Sequence, residues 1–219
     1  MKKTLAVLLS MALISLPFTG LMEFRITNVE NPDTGYAWTY TATNENVLVL
    51  QDSIYEPDAY PEHSAGYRGG RTWVFRNGED GDTVQKFAYA PLDGAKPLQY
   101  NIYLHRVENG LLRWRGDCYV NKQYVEIGLP ENPSTGDKWQ VDSDNADILT
   151  LQKDTYKEYI TAEGFPDEGG VRRWQFVPEA PGDVAITFTN LWSRDSKGAD
   201  TFVFAFRVDH DLGVTPIYP

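Results

Sequence analysis

The chain is written twice, and that constrains its fold more than any other feature. Asn31-Pro32-Asp33-Thr34-Gly35-Tyr36-Ala37-Trp38 recurs as Asn132-Pro133-Ser134-Thr135-Gly136-Asp137-Lys138-Trp139, a spacing of 132 − 31 = 101 residues. Gly69-Gly70 ahead of Trp73-Val74-Phe75 returns as Gly169-Gly170 ahead of Trp174-Gln175-Phe176. A repeat of this length is a whole domain and not a solenoid unit. The 219 residues therefore divide into a leader over 1–20 and two similar domains over 21–121 and 122–219. Matching Ala90-Pro91 to Ala180-Pro181 at a shorter spacing places an insertion of about eleven residues in the first copy, between Arg76 and Gln85, where a loop tip tolerates it.

Within each copy the signals are those of strands. Short alternating runs such as Glu23 to Ile26, Tyr36 to Tyr40, Asn46 to Leu50, Leu98 to Leu104 and Thr201 to Phe206 lie between clusters of Gly, Pro, Asn and Asp. No long segment has a helical period. The pattern predicts an all-β chain of two tandem immunoglobulin-like antiparallel β-sandwiches, with Trp38 and Trp139 as core anchors. No Pro/Gly/Ser linker separates the copies. The stretch from Cys118 to Ile127 reads as nearly continuous strand, so the last strand of the first copy is expected to run into the first strand of the second as a stiff tandem. Cys118 is expected to be a buried structural thiol.

Lys2-Lys3 followed by an apolar run from Leu5 to Phe18 has the form of an export signal, too short to span a bilayer comfortably. The expected location is secreted or periplasmic, with no membrane attachment once the signal is removed. A net charge of −11 and no basic stretch exclude nucleic acid as a partner. The single cysteine excludes an internal disulfide and a thiolate-rich zinc site. His63, His105 and His210 have no metal-ligand spacing, and no nucleophile elbow, P-loop or dinucleotide fingerprint is present. These observations predict no enzyme activity, no cofactor and no metal, in a monomeric chain.

The repeated motif has a definite physical sense. Proline fixes its own φ and biases the preceding Asn away from helix, glycine supplies a positive φ, and threonine between them presents a hydroxyl from a constrained turn. In an immunoglobulin-like sandwich this turn is the B–C loop, the Gly-Gly segment the D–E loop, and the stretch after Leu104 or Thr189 the F–G loop. Those three loops leave the same end of a sandwich and form a wedge. A different class of binding module, an adhesion or carbohydrate-binding domain using Tyr55, Tyr60 and Tyr67 as a stacking surface, remains compatible with the same residues.

These motifs resemble the chagasin family of cysteine-protease inhibitors, whose signature is an Asn-Pro-Thr-Thr-Gly-aromatic-x-Trp first loop, a Gly-x-Gly-Gly second loop and an Arg-Pro-Trp third loop. The resemblance implies a secreted inhibitor of papain-like cysteine proteases that fills the active-site cleft with its loops. In the first copy it assigns the contact to Asn31, Pro32, Asp33, Thr34, Gly35 and Tyr36, to Arg68, Gly69 and Gly70, and to His105 and Arg106 in the place of the third loop. In the second it assigns Asn132, Pro133, Ser134, Thr135 and Gly136, then Gly169 and Gly170, then Asn190 and Trp192. Asp137 in place of the aromatic, and a third loop keeping only Trp192, make the first copy the more competent of the two.

Overall fold

The computed structural model describes residues 23–58, 68–159, 169–191 and 200–218; the leader over 1–20 lies outside them. The first copy contributes β1 (Glu23–Glu30), β2 (Tyr36–Ala42), β3 (Leu48–Pro57), β4 (Gly69–Asn77), β5 (Gly81–Pro91), β6 (Gln99–Glu108) and β7 (Leu111–Asn121). The second contributes β8 (Val125–Glu131), β9 (Trp139–Ser143), β10 (Leu149–Glu158), β11 (Gly170–Pro178), β12 (Gly182–Asn190), β13 (Thr201–Val208) and β14 (Val214–Tyr218). One-turn 3-10 segments, Pro32–Thr34 and Pro133–Thr135, follow β1 and β8. The all-β expectation holds across the described residues, and the strand pairings are antiparallel.

The two copies share a sheet. A three-stranded sheet, β1-β4-β3, and a four-stranded sheet, β14-β13-β12-β9, flank a seven-stranded sheet in the order β10-β11-β8-β7-β6-β5-β2. Alternation along a strand sends successive side chains to opposite faces, and β6 uses both. Tyr100, Ile102 and Leu104 enter the core of the second copy with Cys118 and Val120 of β7. Tyr103 and Val107 enter the core of the first, with Trp38, Trp73, Phe75 and Phe87. The two smaller sheets thus cover opposite faces of the central one, staggered along its width.

Repeat symmetry is visible in the packing. Trp73 meets Phe87 at 4.7 Å between ring centroids, and Trp174 meets Phe188 at 4.8 Å. Arg106 forks onto Asp82 at 2.7 Å through both nitrogens, and Arg207 onto Asp183 at 2.7 and 2.8 Å. These matches keep the 101-residue spacing through β5 and β12, so no insertion lies between Arg76 and Gln85. Ala90-Pro91 closes β5, whereas Ala180-Pro181 precedes β12. The two dipeptides occupy different ends of equivalent strands.

The junction also differs from a continuous strand. The chain reverses over Asn121–Tyr124, because the Asn121 side-chain oxygen accepts the N–H groups of Gln123 (2.7 Å) and Tyr124 (2.9 Å). This local bonding competes with strand extension. β7 and β8 then pair side by side over Asp117–Val120 and Val125–Gly128.

Candidate functional site

Each tip is built by the same short-range chemistry. Asn31, held extended before proline (φ −130°), accepts the N–H of Asp33 on its side-chain oxygen at 3.2 Å. Its carbonyl accepts the Thr34 N–H at 3.2 Å and the Thr34 hydroxyl at 2.6 Å, and Gly35 N–H donates to the Pro32 carbonyl at 3.0 Å. Pro32 has no N–H, so every backbone donor from 32 to 35 is absent or satisfied inside the turn. The Thr34 hydroxyl proton is committed to Asn31, so the Tyr89 hydroxyl 3.3 Å away donates to Thr34. Gly35 sits at φ 74°, and no heavy atom lies within 4 Å of a Cβ built there. Glycine is required for backbone conformation, and the space above it is open.

The second tip repeats this. Ser134 N–H donates to the Asn132 side chain at 3.1 Å, Thr135 donates to the Asn132 carbonyl through N–H (3.1 Å) and hydroxyl (2.8 Å), and Gly136 adopts φ 88°. Pro32 to Gly35 are exposed, as are Pro133, Ser134 and Gly136.

A buried carboxylate carries the first tip. Glu30, 1 % exposed, accepts the Trp38 N–H at 3.1 Å and forks with Arg71 through two 2.7 Å bonds. The Trp38 indole donates to the Val29 carbonyl at 2.9 Å, so the core anchor also pins the strand entering the tip. Pairing with Glu30 raises the Arg71 pKa. Arg71 lies over the ring of Tyr55, its partner in β3, at 5.7 Å; Tyr60 and Tyr67 lie outside the described residues. Gly69 pairs with Glu30 on one side and Pro57 on the other. A Cβ there would collide with the Glu56 carbonyl oxygen and stand 2.8 Å from Tyr55, so β4 starts flush against the end of β3.

A family model for the chagasin family of peptidase inhibitors matches residues 22–104 and 120–208, most of both copies. The chain belongs to the chagasin family. Among solved structures, it is similar to a cysteine protease inhibitor from Entamoeba histolytica, at 24 % identity over 37 % of this chain and 75 % of that one, with a TM-score of 0.32. No curated protein matches it.

In the first chagasin copy, the loop that joins the tip at the same end is the β5–β6 connection, Leu92 to Leu98. Tyr36 pairs with Pro91, Tyr89 with Gln99, and the Leu92 N–H donates to the Gly35 carbonyl at 2.9 Å. His105 and Arg106, expected in this loop, are instead in β6 toward its other end. His105 is 2 % exposed and bonded to the Gln85 side chain at 3.0 Å, and burial lowers its pKa to about 4. Arg106 is occupied by Asp82. The misplacement follows from reading Leu98–Leu104 as the strand before the loop, when it is the strand after it. Leu92, 75 % exposed beside Gly35, and Tyr89 beneath the tip were not singled out from sequence.

In the second copy Asn190 closes β12 beside Trp139, at the tip end of the strand, and Trp192 lies outside the described residues. The glycine pairs are staggered by one: Gly170 takes the register position of Gly69, against Glu131 and Glu158, while Gly169 falls where Arg68 stands and Val171 where Gly70 stands. Gly70 and Arg68 flank Gly69 at the start of β4.

The base of the second tip is looser. Arg172 forks onto Asp154 at 2.7 and 2.9 Å and reaches Glu131 only at 3.3 Å. One Glu131 oxygen is buried without a well-formed hydrogen bond. Burial pushes the Glu131 carboxyl above its usual range, against the opposing pull of Arg172 and the Trp139 N–H. Asn190 and Asp137 stand where the first copy has Tyr89 and Tyr36, whose tilted rings meet at 5.4 Å between centroids. A cavity of about 240 Å³, lined in part by Asp137, Trp139, Asn190 and Phe202, opens at this end. Among the described residues no group of three His, Cys, Asp or Glu side chains is placed to hold a metal.

Proposed function

We infer that the chain inhibits papain-like cysteine proteases by occluding the active-site cleft with the tip Asn31–Tyr36 and the loops beside it. One observation carries this reading: an exposed turn whose backbone donors are satisfied internally, mounted on buried Glu30 and Trp38 and held by Arg71. A cysteine protease cuts an extended peptide that lends its backbone N–H and C=O groups to the cleft. The 3-10 turn offers no such stretch, so it is held without being aligned for cleavage. Its preorganisation also limits the ordering entropy lost on binding. Open space above Gly35 allows close approach to the backbone, and exposed Leu92 offers an apolar contact at the rim.

The first copy is the stronger inhibitor in this reading. Its tip rests on Tyr36, Tyr89 and a Glu30 that accepts three hydrogen bonds, where the second has Asp137, Asn190 and a Glu131 with poorer bonds. The N-terminal signal-like run supports action outside the cytoplasm. A net charge of −11 favours clefts with a positive rim, a preference that weakens with salt. Titration of the mature chain against papain tests the proposal: stoichiometric loss of activity is expected, and full activity at micromolar inhibitor defeats it. Thr34→Ala with Gly35→Ala should weaken inhibition more than Thr135→Ala with Gly136→Ala. Equal effects would contradict the ranking of the copies.

A further inference from the structure

We propose, resting on the inhibitor reading above, that one chain engages two papain-like protease molecules at once, at opposite edges of the shared sheet. The strand registers set the direction of each tip. Tyr36, leaving the first tip, pairs with Pro91; Tyr89 pairs with Gln99, and Gln99 with Asn121. The first tip therefore stands at the edge of the seven-stranded sheet where the β7–β8 hairpin turns. The second tip follows Glu131, at the opposite end of β8 from that hairpin.

From Val125 to Glu131 is 131 − 125 = 6 residue steps, roughly 20 Å along the strand direction. Across the sheet, the order β8-β7-β6-β5-β2 separates the two tip-bearing strands by four strand spacings, roughly 19 Å. The tips face away from each other, so one cleft cannot take both. The hydrogen-bonded sheet leaves no linker through which either tip could swing to the other side. Two enzymes would approach from opposite directions and occupy separate half-spaces.

Each end also carries a residue from the other copy. Lys96 of the first copy's third loop donates to Asp209 (2.6 Å) and to the Gly213 carbonyl (2.9 Å) in the β13–β14 turn. Asp200, at the foot of the second copy's third loop, pairs with Arg115 of β7 at 2.9 Å. Arg115 is the unpaired residue of a β-bulge, and β7 leaves β8 above the Asp117–Gly128 pair, so the first copy's β6–β7 hairpin flanks the second tip. The two ends therefore present different surroundings to the same enzyme, and occupancy proceeds in two steps of unequal affinity.

Sedimentation velocity of the full mature chain with excess papain, its catalytic cysteine replaced by alanine, tests this. The expected saturated species has one chain and two enzymes. Asp33→Trp and Ser134→Trp each place a bulky side chain on one exposed tip while keeping the backbone N–H bonds to Asn31 and Asn132. Each variant, at unchanged thermal midpoint, should bind one enzyme, and the double variant none. One enzyme per wild-type chain at saturation, or loss of all binding from Asp33→Trp alone, overturns the two-ended arrangement and leaves the inhibitor reading intact. Absence of any complex with the wild-type chain removes the inhibitor reading itself.

Discussion

At Gly35 the backbone, and not the surroundings, demands glycine: φ is 74° and an added Cβ meets nothing within 4 Å. Gly35→Ala should cost about 1–2 kcal/mol, the left-handed penalty for an L residue, with a matching loss of inhibition. Gly35→Asn should restore much of both, since Asn tolerates this region; urea denaturation and inhibition titrations provide the check. His105 supplies a pH-dependent counterpart. Its folded-state pKa is about 4 against an ordinary 6.5. Between those values the unfolded chain binds a proton that the folded chain refuses, so stability falls as pH drops from about 6.5 toward 4, by up to roughly 3 kcal/mol. In the second copy the equivalent register holds Phe206 and Ile186 in place of His105 and Gln85. His105→Phe with Gln85→Ile should therefore flatten the pH dependence of the urea midpoint over this window, and an unchanged slope would contradict the assignment. The tip residues were legible because their chemistry is local, whereas the buried role of His105 depends on a strand 20 residues away.

Among the elements, β1, β2 and β4 meet at one carboxylate. Glu30→Gln removes the charge opposite Arg71, leaving a partly exposed guanidinium beside a neutral amide. The expected cost is about 1–3 kcal/mol, below the range for a fully buried pair because Arg71 still reaches water. Glu131→Gln should cost less, since burial already disfavours that charge and Arg172 is engaged with Asp154. Chemical denaturation of the two variants decides this, and a larger effect at Glu131 would contradict the bonding described for the two bases. The strands themselves were legible from alternation, and so were the bends around them from Gly, Pro and Asn. Their neighbours were not. Leu98–Leu104 carries the same alternation whether it precedes or follows a loop, and only its pairing with β5 and β7 shows that it follows. The reversal at Asn121 was similarly hidden within a run of strand-forming residues.

For the whole molecule, division at residue 121 or 122 cuts through a shared core. A fragment ending at Asn121 would expose Tyr100, Ile102, Leu104, Cys118 and Val120, all buried in the intact chain. A fragment starting at Lys122 would lose that wall. Neither half is expected to unfold as a cooperative unit in thermal melts. Burial pushes the Cys118 thiol well above its ordinary pKa, so a thiol reagent should modify it slowly in the intact chain and rapidly in the first fragment. Two sharp, independent melts from the separated halves would show that the copies do not need each other. The sequence by itself determined the β class, the duplication and the two rigid tips, because alternation, Pro-x-Thr-Gly turns and a fixed repeat spacing act through neighbouring residues. Tertiary structure alone decided that β6 serves two cores, that the third loop of the first copy is Leu92–Leu98, and that the tips face opposite ways. Alternation reveals that a strand has two faces, but which sheet covers each face is set by pairings between residues distant along the chain.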